Sequence, residues 1–246
     1  MEEQSKFPSE IVDLPSKGLL YSEDSPLKSG TIEMKYMTAK EEDILTNQNY
    51  IQRGVVIDKL LQALIVDKKI NYNELLTGDK NALLVAARIL GYGKDYEFDY
   101  MGTKESIDLS QISNKPIDPI IENATENKFE FTTSTTNDKL TFKLLTHGDE
   151  TKIQQELDGL RKINKDSSAE LSTRLKYMIT GINDSEDVKA VREFVDTRFL
   201  ARDSREFRKY VTKIQPDVDL KFYPDGAEEG VDIPIGVTFL WPDINI

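Results

Sequence analysis

The sequence predicts an α+β fold in which helical bundle segments are interleaved with short antiparallel β-hairpins. Apolar residues recur at a helical period over 39–90 and 149–214, and at a period of two over 95–146 and from Val218 to Phe239. A chain of 246 residues, 38 % hydrophobic and 31 % charged, is long and apolar enough for a core under a heavily charged surface. The order helices, β, helices, β divides the chain into five segments. These are an extended strap (1–30), a helical segment (31–94), a β-rich segment (95–148), a second helical segment (149–215) and a β-hairpin (216–246) packed with 95–110.

Pro15, Gly18, Pro26 and Gly30 interrupt any periodicity in the strap. Its Ile11, Val12, Leu14, Leu19, Leu20 and Tyr21 are too apolar for a free tail, since each contributes about 1.5–3 kcal/mol when buried. The strap therefore lies over the domain or over a partner, and Leu14, Leu19 and Tyr21 are its candidate partner contacts. Ile32, Met34 and Tyr36 alternate with charged residues and predict a short strand. Thr38 and Glu41 form a capping box opening a helix from about Ala39 to Gln52. Gly54 breaks it, and Val55 to Val66 is a second helix with Val56, Leu60, Leu61, Leu64 and Ile65 inward. Asp79 caps a third, Lys80 to Leu90, ending at Gly91 and apolar around most of its circumference.

Tyr96, Phe98 and Tyr100, then Ile107 and Leu109, alternate as strands. Phe129 and Phe131, with Leu140, Phe142 and Leu144, flank a Thr-rich turn and predict a hairpin. Residues 114–127 read as a loop. Helices follow at about Glu150–Asn164, Ser168–Ile179, Glu186–Ala201 and Ser204–Ile214, the last capped by Asp203. Ile153, Leu157, Leu160 and Ile163 make one apolar face; Val188, Val191, Phe194, Val195 and Phe199 make another. Val218, Leu220 and Phe222, then Val231 to Phe239, predict two final strands ending at Trp241-Pro242.

The segments Phe98–Leu109 and Phe222–Ile233 resemble each other without gaps, with Phe, Gly, Glu and Asp at four shared places. Each reads as strand, glycine-containing knuckle, strand, the arrangement of a zinc ribbon. Its knuckles, Met101 to Lys104 and Pro224 to Ala227, hold no zinc ligand of the required type. Either the likeness is coincidence, or packing replaces the metal in a cysteine-free, ribbon-like pair.

Composition excludes several chemistries. There is no cysteine and one histidine, so disulfides, thiol nucleophiles and Cys-based zinc sites are ruled out, and no metal or cofactor is expected. A net charge of −12 opposes nucleic-acid and anionic-membrane binding. The polar N-terminus and the lack of a long apolar run predict an intracellular, soluble product. Gly91-Tyr92-Gly93 follows a helix and precedes a strand, the reverse of a phosphate-binding loop, so it reads as a helix end with Arg88 anchoring it. Glu41, Glu42 and Asp43 sit in a helix's first turn, where the macrodipole favours them. His147 reads as a loop residue ahead of a helix, and no Gly-x-Ser-x-Gly elbow accompanies it.

The densest polar constellation is Arg198, Arg202, Asp203, Arg205, Glu206, Arg208 and Lys209, with Phe199, Phe207 and Tyr210 between them. Arginine with aromatic rings is characteristic of protein–protein hot spots. The plainer reading is a solvated helix face with pairs such as Arg202 with Glu206. On the first reading Arg198, Arg202, Arg205 and Arg208 meet an acidic partner, while Phe207 and Tyr210 supply the apolar anchors.

Leu14-Pro15-Ser16-Lys17-Gly18, Met37 to Glu42 and Arg88 to Tyr96 resemble the baseplate hub-assembly family of T-even-type contractile-tailed phages. So do Phe129-Glu130-Phe131, Arg174 to Ile179, Ala201 to Arg205 and Ile233 to Pro242. The blocks keep their order from about residue 10 to 242. Some members of that family carry cysteines at the two knuckles; this sequence departs there, and metal binding is not carried over. The resemblance implies a late protein of the host cytoplasm that helps build the central baseplate hub without catalysing a reaction. It would bind other hub proteins, either retained in the baseplate or leaving once the hub is made. The competing classes are a small hydrolase-like enzyme using His147 and a nucleic-acid-binding adaptor.

Overall fold

The first apolar residues described, Ile11 and Val12, lie in a strand. β1 (Ser9–Asp13) pairs antiparallel with β2 (Thr31–Lys35), Val12 opposite Ile32. The structure is a computed structural model and describes residues 8–163, 168–224, 230–235 and 237–240. Between the two strands the chain returns through a 3-10 turn at Pro26–Ser29. There Gly18 (φ 76°) and Gly30 (φ 75°) pass so closely that a Cβ on Gly18 would stand 2.4 Å from the Lys28 carbonyl oxygen. Only glycine fits both that backbone and that approach. Leu14, Leu20 and Tyr21 are buried inside this turn, so they belong to the chain's own core.

The capping box is present: Thr38 N donates to Glu41 Oε2 at 3.1 Å and opens α1 (Ala39–Leu45). Burial pushes the Glu41 carboxyl up, but Lys35 and Thr38 more than offset this and hold it below its ordinary value. The single helix expected to Gln52 divides, because the Asn47 side chain accepts from Tyr50 N (3.2 Å) and starts α2 (Gln48–Gln52). α3 (Val56–Leu64) buries Val56, Leu60, Leu61 and Leu64 as expected.

α4 (Thr77–Tyr92) begins earlier than expected, capped at Leu76, and runs through Gly91 to Gly93 (φ 83°). Arg88 anchors that end, donating to the carbonyls of Gly93 (2.7 Å) and Asp95 (2.9 Å). Asp79 is not a cap. It is fully buried in the first turn, where Ser16 N (2.9 Å), Ser16 Oγ (2.6 Å) and Tyr21 Oη (2.6 Å) all donate to it. Tyr21 Oη in turn accepts from Leu76 N (3.0 Å). A buried carboxylate thus latches the first turn of the chain onto α4.

β3 (Asp95–Tyr100) and β4 (Thr103–Asp108) form a hairpin with Met101 (φ 49°) and Gly102 (φ 84°) in its two-residue turn. The expected loop over 114–127 contains a short α5 (Pro119–Glu122). β5 (Phe129–Thr132) and β6 (Lys139–Phe142) form the second hairpin. α6 (His147–Ile163) and α7 (Glu170–Met178) follow, and then β7 (Ile179–Ile182), of which only Ile179 falls within an expected element, a helix, adds to β6. α8 (Val188–Thr197) and α9 (Ala201–Ile214) complete the second helical stretch. Ile163 and Val188, both expected inward, are 86 % and 67 % exposed.

The last elements are β8 (Lys221–Phe222), its antiparallel partner β9 (Val231–Asp232), and α10 (Val237–Leu240). α10 replaces the far end of the expected strand. Most of the knuckle over 224–227 and the ending at Trp241-Pro242 lie outside the described residues. Hairpins β3–β4 and β8–β9 meet as expected: Phe222 lies edge-on to Phe98 and Tyr100, with centroids at 5.3 and 5.8 Å. Their registers differ, since Phe98 pairs with Glu105 whereas Phe222 pairs with Val231, so the gapless likeness does not extend to the ladder. One apolar cluster runs from Leu14 to Leu240 and draws on all five segments; a small second one joins Leu145, Ile153 and Leu157.

Candidate functional site

The helix carrying the arginines is held from below. Asp203, Ser204, Phe207, Val211 and Ile214 are the buried residues of α9, spaced by three and four, so they form one face. The Phe207 ring sits edge-on to Phe131 (5.4 Å), Phe142 (5.1 Å) and Phe199 (6.1 Å). Tyr210 is half-buried with its ring 5.4 Å from Phe131. Phe207 is therefore a core residue and unavailable as a docking anchor, and Tyr210 is committed to the same aromatic cluster. Leu14 and Tyr21 are likewise withdrawn from any partner, and Leu19 is half-buried against the core.

The acids of the constellation face the β5–β6 turn. Asp203 Oδ1 accepts from Thr135 N (3.0 Å) and Ser134 Oγ (3.4 Å), while its buried Oδ2 has no hydrogen-bond partner. Asp203 is thus not the cap expected of it; Leu200 holds that position. Ser134 Oγ also donates to Glu206 Oε2 at 2.6 Å. That bond first, and Arg202 second, hold the Glu206 carboxyl below its ordinary value despite some desolvation. The expected pair of Arg202 Nε with Glu206 Oε1 is present at 3.3 Å.

What remains outward is basic. Arg198, Arg202, Arg205, Arg208 and Lys209 are all exposed. Arg205, Arg208 and Lys209 make no ion pair among the described residues, whereas Arg202 is committed to Glu206. Arg198 lies over the Phe194 ring at 5.6 Å, which fixes its stem beside the start of α9. Leu200, 44 % exposed, stands between Arg198 and Arg202 and is the apolar group at this site that the sequence reading missed. The chemistry available is an array of exposed guanidinium groups suited to carboxylates, of which Arg198 and Arg202 are held in place, with one apolar contact at its edge.

His147 begins α6 and is nearly buried, its ring edge-on to Tyr72 at 4.6 Å. Burial pushes its pKa down. Asp58 Oδ1 stands 3.7 Å from His147 Nδ1, beyond hydrogen-bond reach, and is taken instead by Tyr72 Oη (3.0 Å) and Lys80 Nζ (2.5 Å). His147 Nδ1 has no hydrogen-bond partner, so no carboxylate orients this imidazole as a general base requires. Among the described residues, no group of three or more His, Asp or Glu side chains is arranged to hold a metal ion, and no helix is long and apolar enough to cross a membrane. Comparison with family models, with curated proteins and with solved structures finds no match for this chain.

Proposed function

We propose that this chain is a non-enzymatic assembly protein of a contractile-tailed phage baseplate hub, working in the host cytoplasm by binding other hub proteins through the arginine face of α9. The observation that carries the binding surface is the exposed, unpaired set Arg205, Arg208 and Lys209 on a helix whose opposite face is locked into the aromatic core. On a chain of net charge −12 this is a local reversal of sign, and such a patch favours and steers an acidic protein partner. The hub assignment rests on the ordered blocks of resemblance; the surface rests on the geometry. Charge reversal tests the surface, and capture of hub proteins by the unaltered tagged chain tests the hub assignment. Arg205→Glu with Arg208→Glu should leave stability within about 1 kcal/mol, because both side chains are exposed and unpaired. It should also abolish capture of hub proteins by the tagged chain from infected cells, and with it phage yield. Normal capture and yield from the folded double variant would reject the proposal.

A further inference from the structure

The second unpaired feature of the molecule is a strand edge. Tyr36 N donates to the Pro8 carbonyl (3.1 Å) and Leu14 N to the Gly30 carbonyl (2.8 Å), and these bonds flank the β1–β2 ladder. Antiparallel strands alternate the direction of their backbone groups. With that phase, residues 8, 10, 12 and 14 turn their polar groups toward β2, and Ser9, Ile11 and Asp13 turn theirs away. Among the described residues those three have no backbone partner and β2 is the only strand that pairs with β1. A row of unpaired donors and acceptors is what natural proteins cover or blunt.

Here the edge borders a groove instead. A surface groove of about 370 Å³ runs beside it, lined by Ile11, Val12 and Tyr36 from the hairpin and by Ala86, Ile89 and Leu90 from α4, with Glu10 at the rim. Ile11 is 64 % exposed. An added strand would find backbone partners along β1 and an apolar wall on α4 for alternate side chains, the arrangement of β-strand addition. The rim selects the strand's charge. Glu10 at the groove and Asp13 on the edge strand are both exposed acids. Glu33 lies opposite Ile11 on β2 and accepts from Ser9 Oγ (2.5 Å), and the nearby Lys35 is committed to Glu41 at 2.7 Å. A second copy would set Glu10 and Asp13 against their own kind, on chains of net charge −12.

We infer that the free edge of β1 takes an extended segment of a partner protein as a third strand, one alternating apolar residues with Lys or Arg. This rests on the reading that the chain works by binding proteins, but it uses a surface separate from α9. The test uses the full chain and three synthetic octapeptides. One alternates Lys and Val, one alternates Glu and Val, and one is the Lys-Val peptide N-methylated at every second amide so that it cannot ladder. Amide hydrogen exchange at Ile11 and Asp13 should be fast in the free protein and slow at least tenfold at saturating Lys-Val peptide. Neither control should slow it. Ile11→Lys should weaken peptide binding at least tenfold. Ile11→Pro serves as a second variant, since the donor it removes faces away from β2.

Failure to slow exchange at Ile11 and Asp13, or equal slowing by the Glu-Val peptide, overturns the inference. So does protection without peptide that grows with protein concentration, which would make the occupant a second copy. Loss of hub-protein capture in the α9 reversal variant, with no protection at Ile11, would sink the edge and spare the assembly reading. Protection at Ile11 with normal capture by that variant would keep the edge and remove α9 as the capturing surface.

Discussion

Replacing Asp79 with alanine should release the first turn of the chain and destabilise the whole domain. Three donors, Ser16 N, Ser16 Oγ and Tyr21 Oη, converge on this carboxylate at 2.6–2.9 Å in a fully buried site. Each buried donor left without a partner costs about 1–3 kcal/mol. The Ser16 hydroxyl can turn toward other acceptors, and removing the carboxylate recovers some desolvation, since burial raises the Asp79 pKa. The expected net loss is about 3–5 kcal/mol, a large part of the stability of an ordinary domain. Urea unfolding measures it, and limited proteolysis between Leu14 and Tyr21 shows where it falls. Ser16→Ala should cost only about 1 kcal/mol, and the double variant should show strong coupling between the two positions. A loss below about 1 kcal/mol for Asp79→Ala, with the 14–21 segment still protected, would refute the latch. The pH dependence has a definite sign. A raised folded pKa makes the native state bind the proton more tightly, so this contribution is complete below the ordinary value of 3.8 and is lost as pH rises through the folded pKa. Asp79→Asn should remove that slope.

Gly78→Ala should destabilise by roughly 2–4 kcal/mol in thermal unfolding, because its Cβ would stand 1.9 Å from the Pro216 carbonyl oxygen. Met101→Asn should raise stability by about 0.5–1 kcal/mol, since Met101 holds φ 49° at a turn where Asn followed by Gly is favoured. Burial depresses the His147 pKa from 6.5, so the stability tied to its neutral form is present above that value and is lost as pH falls through the folded pKa. Asp58, Glu150 and Lys80 are the charged groups that face it, and Tyr72 packs on its ring. His147→Gln should flatten the loss of stability that sets in as pH falls below 6.5, read in denaturant titrations.

Features whose causes are local were legible. The Thr38–Glu41 box, the break at Gly54, the 129–142 hairpin and the Arg88 anchor all depend on residues close in sequence, the farthest pair being Phe129 and Phe142. Asp79 and Asp203 look like caps because an acid precedes a helical run in each case. Their actual partners, Ser16 and Ser134, are more than sixty residues away, and no local pattern announces them. Ile163 and Val188 continue an apolar period past the point where the fold offers a surface to cover them. Alternation from Val231 to Phe239 suits a strand, yet Phe239 reaches the core from a helical turn, edge-on to Tyr96 at 4.8 Å. Within the candidate site, Phe207 shares its spacing with Asp203, Val211 and Ile214, and that stripe was the available signal that it faces inward. The acids of the cluster were visible, but which arginines they leave unpaired depends on the position of the β5–β6 turn.

The seat of Phe239 and Leu240 also sets when the protein can finish folding. Both are fully buried, and α10 packs on α4 and Tyr96, which lie about 150 residues earlier in the chain. Translation proceeds at roughly 5–20 residues per second, so α4 waits on the order of ten seconds for the residues that cover it. Throughout that interval an apolar flank of the nascent chain faces water, at a time when neighbouring ribosomes on the same message hold identical unfinished flanks nearby. Crowded, simultaneous synthesis is therefore the phase in which this protein is most exposed to aggregation, and a holding chaperone would be needed there more than after release.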